Sequence, residues 1–562
     1  MKKILMYISA AALTMGVTSS CIQEFDPQSS TVTANQAANA PGSFQNFVDA
    51  CTATLGGQFL YSPANTYPYD FGFSAFFIQR DVMGQDMVIN SDASWYQTWY
   101  CSGTGLGPGY AVCQMPWTIY YGWIDACNKV IGMVGGEPSN DLQRNGAGIA
   151  HAMRAMYYMD LARMFAPETY GMNKESITVP IITEDPTIDL THNPRATNEV
   201  MWAFILSDLD KAEEYLAEYK RTDVYTPDLS VVYGMKARAY LTMEDWPNAE
   251  KYAKLAQQGY TVMTGAQYTD RDTGFNTPNS SWMMALQFKA DDPCILENDA
   301  DSSWGSIMSI EIVPGDGKTG CGYAANYGVP MAIDRHLYET IPATDIRKKC
   351  FLDFAIDDLD DDDEIIAALS EYSDYPEAVY QTAYISSDRG TAGGLSLKFR
   401  LAGGSEGHYN QYIGFRQSVP MMRVEEMVLI EAEAAGMQDP ARGQQLLTAF
   451  ALQRDPNFVY GQHDESYGKG SRANQIQNEV WWQRRVEFWG EGLATFDIKR
   501  LNKGIIRSYR GTNHVEDYRW NTDTPPQWMT LCIVQTETNY NYDCEQNPTP
   551  IAPIGDSPEY SW

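Results

Sequence analysis

The sequence predicts a mainly α-helical protein in which tetratricopeptide-like helical hairpins form a scaffold and a long loop-rich segment with short strands packs on it. Apolar residues recur at helical spacing in several runs, at residues 148–165, 196–219, 421–435, 441–451 and 475–499. Two further runs within 230–258 flank Asp245, a natural N-cap, and Pro247, which suits a first helical turn, so they predict a hairpin. Between Gly259 and Val419, Gly, Pro, Asn, Asp and Ser separate short apolar pieces such as the strand-like run Leu395–Leu401.

The N-terminus has the features of an export signal. Met1-Lys2-Lys3 is followed by an apolar stretch from Ile4 to Val17 and by the small residues Thr18-Ser19-Ser20. A basic start, an apolar stretch and small residues before a cleavage point are typical of a secretory signal, and this stretch is too short to cross a bilayer. We therefore expect residues 1–20 to be a signal peptide. Cys21, directly after the small residues, is then the acylated N-terminus of a bacterial lipoprotein, although Thr18 stands where Leu is usual.

The rest of the chain is expected to form a tether and one domain. Residues 21–44 are polar for most of their length and predict a flexible tether. The domain, residues 45–562, has a helical-repeat part at 45–260, a loop-rich ligand-binding part at 261–420 and a C-terminal part at 421–562.

The charge and the aromatic content restrict the function. The 562 residues include 72 acidic and 40 basic ones, a net charge of −32, and no basic block is present. Such a surface repels nucleic-acid phosphates and anionic lipid headgroups, so we expect no nucleic-acid partner. The 14 Trp and 36 Tyr outnumber the 20 Phe. The rings of Trp and Tyr carry a polar group, which suits a flat binding surface for a hydrated ligand. Alternatively, these residues serve the core of a long chain.

The motifs of catalysis and metal binding are weak. Gly403–Gly407 matches the GxSxG pattern and precedes His408, but no helical stripe follows, as that nucleophile motif requires. The six His residues are scattered, and the acidic run Asp357–Glu364 lacks the Gly and spaced Glu of an EF-hand, so a solvated turn is favoured over a calcium site. We predict no catalytic residue and no cofactor, and leave metal binding open. The protein is expected to be a binder rather than an enzyme; an extracellular glycoside hydrolase is an alternative.

The cysteines offer no redox or zinc motif. Nine remain besides the lipidated Cys21, none of them in a CxxC pair, so at least one of the nine is unpaired within the chain. Cys101 and Cys113 flank a Gly-rich stretch, where a disulfide is permitted in an oxidising compartment. The pairing is left open.

Three stretches together resemble the SusD/RagB family of Bacteroidetes outer-membrane lipoproteins. They are the lipidated Cys21 with the acidic-aromatic residues after it, the helix that follows Val419-Pro420 and carries Arg423, and the stretch Gln483–Arg500. The ending Gln546-Asn547-Pro548 also matches, whereas Ala494 replaces a usual Arg.

The resemblance implies a SusD-like fold and a role at the cell surface. Such a protein is anchored in the outer membrane by its lipid, faces the exterior and acts as a lid on a TonB-dependent, SusC-like barrel. It binds an oligo- or polysaccharide and delivers it to that transporter. A peptide ligand, as in the RagB branch, is the alternative.

The densest aromatic cluster lies in the region from which this family contributes ligand-stacking rings. The predicted ligand-binding residues there are Trp95, Tyr96, Trp99, Tyr100 and the preceding Arg80. A second group lies in the loop-rich part: Trp304, Tyr323 and Tyr327. Alternatively, Trp95 and Trp99, four residues apart, only stabilise a short helix.

Overall fold

The computed structural model describes residues 41–63, 65, 67–89, 94–100, 105–296, 302–313, 322–326, 330–385 and 390–562. The predicted signal peptide, the lipidation site Cys21, most of the predicted tether and the candidate ligand residue Tyr327 lie outside these residues.

The first half of the described chain is mostly helical. Its elements are α1 (Pro41–Ala50), α2 (Ala75–Asp81), β1 (Met87–Val88), α3 (Ala111–Val134), α4 (Asp141–Phe165), α5 (Asn198–Tyr215), α6 (Leu229–Met243), α7 (Trp246–Ala256), α8 (Gly265–Tyr268) and β2 (Trp282–Gln287).

Short helices dominate the middle, and longer ones return after residue 420. The elements are α9 (Pro293–Leu296), α10 (Trp304–Met308), α11 (Gly322–Asn326), β3 (Ala332–Ile333), α12 (Arg335–Thr340), α13 (Asp362–Leu369), α14 (Pro376–Tyr380), α15 (Gly404–Tyr409), α16 (Gln411–Gly414), β4 (Ser418–Arg423), α17 (Val424–Gln438), α18 (Pro440–Ala451), α19 (Gln475–Glu487), α20 (Ala494–Arg500) and α21 (Gln535–Thr538). The mainly α-helical fold class is therefore confirmed.

The predicted hairpin is α6 followed by α7. Asp228 caps α6 by accepting a hydrogen bond from the Val231 amide, and Asp245 caps α7 through the Asn248 amide. These caps satisfy amide groups that the first helical turn leaves without partners. The hairpin is compatible with the tetratricopeptide-like scaffold that the sequence predicts.

The described strands are few and pair only across long distances in sequence. Strand β1 is antiparallel to β3, with Met87 opposite Ile333, and β2 is antiparallel to β4, with Gln287 opposite Ser418. The residues 421–423, expected to start a helix, belong to β4 instead, because they pair with β2. The strand-like run 395–401 forms only isolated bridges, such as Ala332 with Leu395.

The expected helix over 475–499 is two helices. The break lies between Glu487 and Ala494, where Gly490 and Gly492 adopt left-handed φ values of 79° and 73°. A Cβ on Gly492 would lie 2.6 Å from the Cα of Phe77 in α2, so this turn brings the chain too close to α2 for a larger residue.

One continuous hydrophobic core joins the three predicted parts of the domain. It includes side chains from Phe44 in α1 to Cys544 near the C-terminus. The predicted tether ends too late, since α1 begins at Pro41 and Phe44 is fully buried. None of the described helices is long and apolar enough to cross a membrane.

Candidate ligand-binding site

A pocket of about 350 Å³ opens beside the segment 94–100, in the aromatic cluster that the sequence singles out. Its described lining consists of aromatic, small and uncharged polar residues: Tyr69, Ser94, Trp95, Gln97, Thr98, Trp99, Gly105, Tyr110, Ala111 and Val112. Two aromatic side chains are exposed there: Trp95 keeps 45% of its surface accessible and Tyr110 keeps 58%. A flat ring presented beside amide and hydroxyl groups can stack on an apolar ligand face while those groups form hydrogen bonds.

Further aromatic rings support the exposed ones: Tyr69 and Trp99 are buried, and Tyr61 and Tyr67 are half-buried. The Tyr69 ring lies 4.9 Å from the Trp99 ring, edge to face, and 6.2 Å from the Trp95 ring. Tyr67 stacks on Tyr69 at 5.1 Å, and Tyr61 on Tyr67 at 6.3 Å. Burial raises the pKa of Tyr61 and of Tyr69, so both phenols are neutral at physiological pH. The floor beneath Trp95 is therefore an uncharged aromatic layer.

Asp70 fixes the loop that carries Tyr61. Its buried carboxylate accepts hydrogen bonds from the amides of Leu60 (3.2 Å), Tyr61 (2.9 Å) and Ser62 (3.4 Å). Burial raises the pKa of Asp70 to about 6, and these hydrogen bonds oppose that rise.

Tyr323 positions Trp95 rather than lining the pocket. The Trp95 amide donates a hydrogen bond of 2.8 Å to the Tyr323 hydroxyl, and the Tyr323 amide donates one of 2.6 Å to the Ser306 hydroxyl. Tyr323 is itself buried. The structure thus joins two predicted site residues from distant parts of the chain, but in a supporting contact.

Two members of the aromatic cluster, Tyr96 and Tyr100, are fully buried, contrary to the prediction that they contact ligand. Tyr100 is an anchor in the core, because its hydroxyl is hydrogen-bonded to His514 and the Arg507 guanidinium lies 3.9 Å from its ring centre. Tyr96 packs 5.9 Å from Trp99. Neither ring can stack on a ligand in this conformation.

Arg80 and Trp304 also belong to the interior, which corrects the prediction for both. Arg80 forms a buried ion pair of 2.9 Å with Asp160 and lies 4.7 Å from the Phe496 ring centre. Trp304 is fully buried, with its ring 4.9 Å from that of Phe399. Both side chains stabilise packing between distant segments.

Sequence reasoning missed several residues of the pocket lining, among them Tyr69, Tyr110 and Thr98. Tyr69 belongs to a run with an aromatic residue at every second position, Tyr67, Tyr69, Phe71 and Phe73, and Tyr110 closes the Gly-rich stretch before α3. A Gly-rich loop ending in an aromatic residue beside an aromatic cluster is the signal that could have identified Tyr110.

The GxSxG match does not form a nucleophile site. Ser405 lies inside α15, a short helix that the sequence pattern does not predict, and no described strand leads into it. The His408 ring is buried, is hydrogen-bonded to the Gly404 carbonyl (2.8 Å) and stacks on Tyr375 at 3.7 Å. Among the described residues, no group of three or more His, Cys, Asp or Glu side chains is arranged to hold a metal ion.

A larger pocket of about 590 Å³ lies between α3 and residues 182–184, but its polar groups already have partners. The Asn128 amide donates to the Ile182 carbonyl (3.1 Å), and Glu184 pairs with Arg154 (2.6 Å). Its size alone gives no reason to prefer it as a ligand site.

Comparisons with known proteins agree with the fold. Residues 77–241 match the SusD-like_3 family model, described as "Starch-binding associating with outer membrane". A SusD-like carbohydrate binding protein from Bacteroides vulgatus has a similar structure, with a TM-score of 0.67, 20% identity and coverage of 90% of this chain and 97% of that one. Surface glycan-binding protein A from Bacteroides thetaiotaomicron, in complex with laminarihexaose, matches with a TM-score of 0.63, 16% identity and coverage of 90% and 99%.

No curated protein sequence matches this chain. The sequence motifs, the family model and the structural matches nevertheless agree with one another. This chain therefore contains a SusD-like segment and has the fold of the SusD superfamily.

Proposed function

We propose that this protein is a glycan-binding protein whose ligand stacks on Trp95 in the pocket beside α3. The observation that carries the proposal is the exposed indole of Trp95 on an aromatic floor, with Gln97 and Thr98 beside it. Sugar rings have apolar faces and hydroxyl edges, so an exposed ring with nearby amide and hydroxyl groups suits them. The bound laminarihexaose of a structurally similar protein supports the same ligand class.

The charge of the pocket favours a neutral glycan over a peptide or an acidic polysaccharide. Charged residues make up 20% of the sequence, yet none of the described residues that line this pocket is charged. A peptide has charged termini or charged side chains, and an acidic polysaccharide has uronate or sulfate groups. These charged groups would lose their hydration on binding without gaining an oppositely charged partner in the pocket. A neutral sugar avoids this cost.

The cellular role that we propose follows the resemblance. The lipid on Cys21 anchors the protein in the outer membrane, facing the exterior, and the protein acts as a lid that delivers glycan to a SusC-like, TonB-dependent barrel. The description of the matching family model supports the outer-membrane association. Co-purification with a barrel from outer membranes, and release of a Cys21→Ala variant from the membrane, are the expected results. A Cys21→Ala variant that stays in the membrane would contradict the anchor.

Affinity electrophoresis of the soluble chain, cut after Cys21, tests the ligand class. The panel contains neutral glucans, mannans and xylans, acidic pectins and sulfated glycans, and a peptide digest. We expect a neutral polysaccharide to retard the protein and Trp95→Ala to weaken that binding about 10-fold, because stacking and burial of one aromatic ring contribute about 1.5 kcal/mol or more. Trp562→Ala is the matched control, since Trp562 is exposed to a similar extent, 46%.

The other outcomes separate the alternatives. Binding to peptides alone would leave the fold assignment unchanged and would show that the ligand is a peptide. Hydrolysis of a glycan by the pure protein would support the alternative that it is a glycoside hydrolase. Unchanged affinity of the Trp95→Ala variant would place the site elsewhere.

A further inference from the structure

Two cysteines from opposite ends of the chain meet beside the pocket. Cys113 lies in the first turn of α3 and Cys532 in the segment before α21, and both are fully buried. Their thiols donate hydrogen bonds to the same acceptor, the Leu106 carbonyl oxygen, each at 3.6 Å. Both sulfur atoms therefore lie within hydrogen-bonding distance of one carbonyl oxygen, although more than four hundred residues separate the two cysteines in sequence.

The thiols also contact each other. The hydrogen bond between them, together with burial, raises the pKa of Cys113, and the same bond lowers the pKa of Cys532 to about 7. Thr549 lies beside them, with its hydroxyl 3.9 Å from the Cys532 sulfur. The two thiols are therefore in direct contact in the folded chain, as the partners of a disulfide must be.

We infer that Cys113 and Cys532 form a disulfide bond in the exported protein. This inference relies on the export that the proposed function includes, because disulfides persist in oxidising compartments. Two S–H bonds break and one S–S bond forms, while two electrons and two protons pass to the disulfide of a thiol oxidoreductase, which becomes a dithiol. Since both sulfurs are fully buried in the folded protein, the bond forms during folding, before the core closes.

The disulfide links the C-terminal segment to one wall of the pocket. Cys113 follows Val112, which lines the pocket, and the Gln535 amide donates a hydrogen bond of 3.1 Å to the Pro108 carbonyl in the Gly-rich stretch. The C-terminal segment is thus fastened to the loop that carries Tyr110. This pairing differs from the Cys101–Cys113 disulfide that the sequence permits, and Cys101 lies outside the described residues.

Peptide mapping without reduction tests the bond. The full chain is exported to a bacterial periplasm, denatured with an alkylating agent and digested, and mass spectrometry searches for the Cys113 peptide joined to the Cys532 peptide. We expect the joined peptide in the wild type and in Cys350→Ser, a control that removes a buried thiol near the Tyr268 carbonyl (4.0 Å). It should be lost in Cys113→Ser and in Cys532→Ser, with the remaining thiol alkylated.

Refolding of the reduced chain with oxidised glutathione tests whether the two thiols can pair, independently of whether the protein is exported. A joined peptide after refolding, but alkylated thiols in the protein isolated from its native cells, would contradict the export in the proposed function and leave the pairing of the two thiols intact. Alkylation of both cysteines after refolding as well as after export would overturn the inference.

Discussion

At the scale of single residues, Trp95 and Trp99 have opposite environments although they lie four residues apart. The Trp95 indole is half exposed at the mouth of the pocket, whereas Trp99 keeps only 2% of its surface accessible. Trp99 packs between the rings of Tyr69 and Tyr96, at 4.9 Å and 5.9 Å. In the proposed site, Trp95 is therefore positioned to meet a ligand, and Trp99 supports the floor of the pocket.

Replacing each Trp by Ala should separate these roles. Trp99→Ala should lower the free energy of unfolding by about 3–5 kcal/mol, because it opens a cavity in the core. Trp95→Ala should lower it by about 1 kcal/mol or less, since an exposed side chain is removed. Urea denaturation at pH 7 measures both values. Equal losses would show that Trp95 also has a structural role.

Asp70 should give the protein a distinct pH dependence. Its pKa is about 6 in the folded state against an ordinary value of 3.8, so between these values only the folded state holds the proton. The contribution of Asp70 to stability therefore increases as the pH falls from about 6 to 4, by on the order of 1–3 kcal/mol.

Asp70→Asn should remove this increase. The measurement compares the free energies of unfolding at pH 4.5 and pH 7 for the wild type, for this variant and for Asp125→Asn at the exposed surface. The same pH dependence in all three proteins would contradict the assignment.

At the scale of elements, α19 is held by a buried ionic network. Glu487 at its end pairs with Arg454 (2.9 Å), Arg423 (3.2 Å) and Arg347 (3.4 Å). Burial alone would raise the pKa of Glu487, but Arg454 and Arg423 lower it well below its usual range. Arg423 also pairs with Glu491 (2.9 Å), so the two C-terminal stretches that resemble the SusD/RagB family meet here.

Glu487→Gln should destabilise the protein by about 3–5 kcal/mol, because three buried guanidinium groups lose their shared carboxylate. Glu339→Gln is the control, since its pair with Arg335 is exposed and contributes at most about 1 kcal/mol. Thermal unfolding of both variants at pH 7 checks the difference. Similar melting temperatures would show that the network contributes little.

At the scale of the whole molecule, the segment around the pocket depends on the C-terminal part. Arg507 is fully buried and donates to the carbonyls of Val82 (2.9 Å), Gly84 (2.7 Å) and Tyr100 (2.8 Å). Asp86 pairs with Arg485 at 2.6 Å. Most of these contacts join residues about 400 positions apart.

The segment 77–241, which matches the SusD-like family model, should therefore not fold alone. Without Arg485 and Arg507, the Asp86 carboxylate and several backbone carbonyls would lose buried partners. Near-ultraviolet circular dichroism and denaturant titration of the isolated segment should show no cooperative transition, whereas the full chain should show one. A sharp transition in the segment would identify an independent domain.

The sequence alone determined the fold class, the hairpin of α6 and α7 with its Asp245 cap, and the stretches that resemble the SusD/RagB family. These features depend on neighbouring residues, because helical periodicity and capping involve groups within a few positions of one another. The aromatic cluster was also found from the sequence, and it does lie at a pocket.

Only the tertiary structure decided which rings of that cluster are exposed. Tyr100 is buried because His514 and Arg507 approach it from the C-terminal part, and Trp304 because Phe399 covers it. Likewise, the contact of Cys113 with Cys532 depends on how the two ends of the chain pack. Burial and pairing of this kind arise from contacts between residues hundreds of positions apart, and periodicity within a short window carries no information about them.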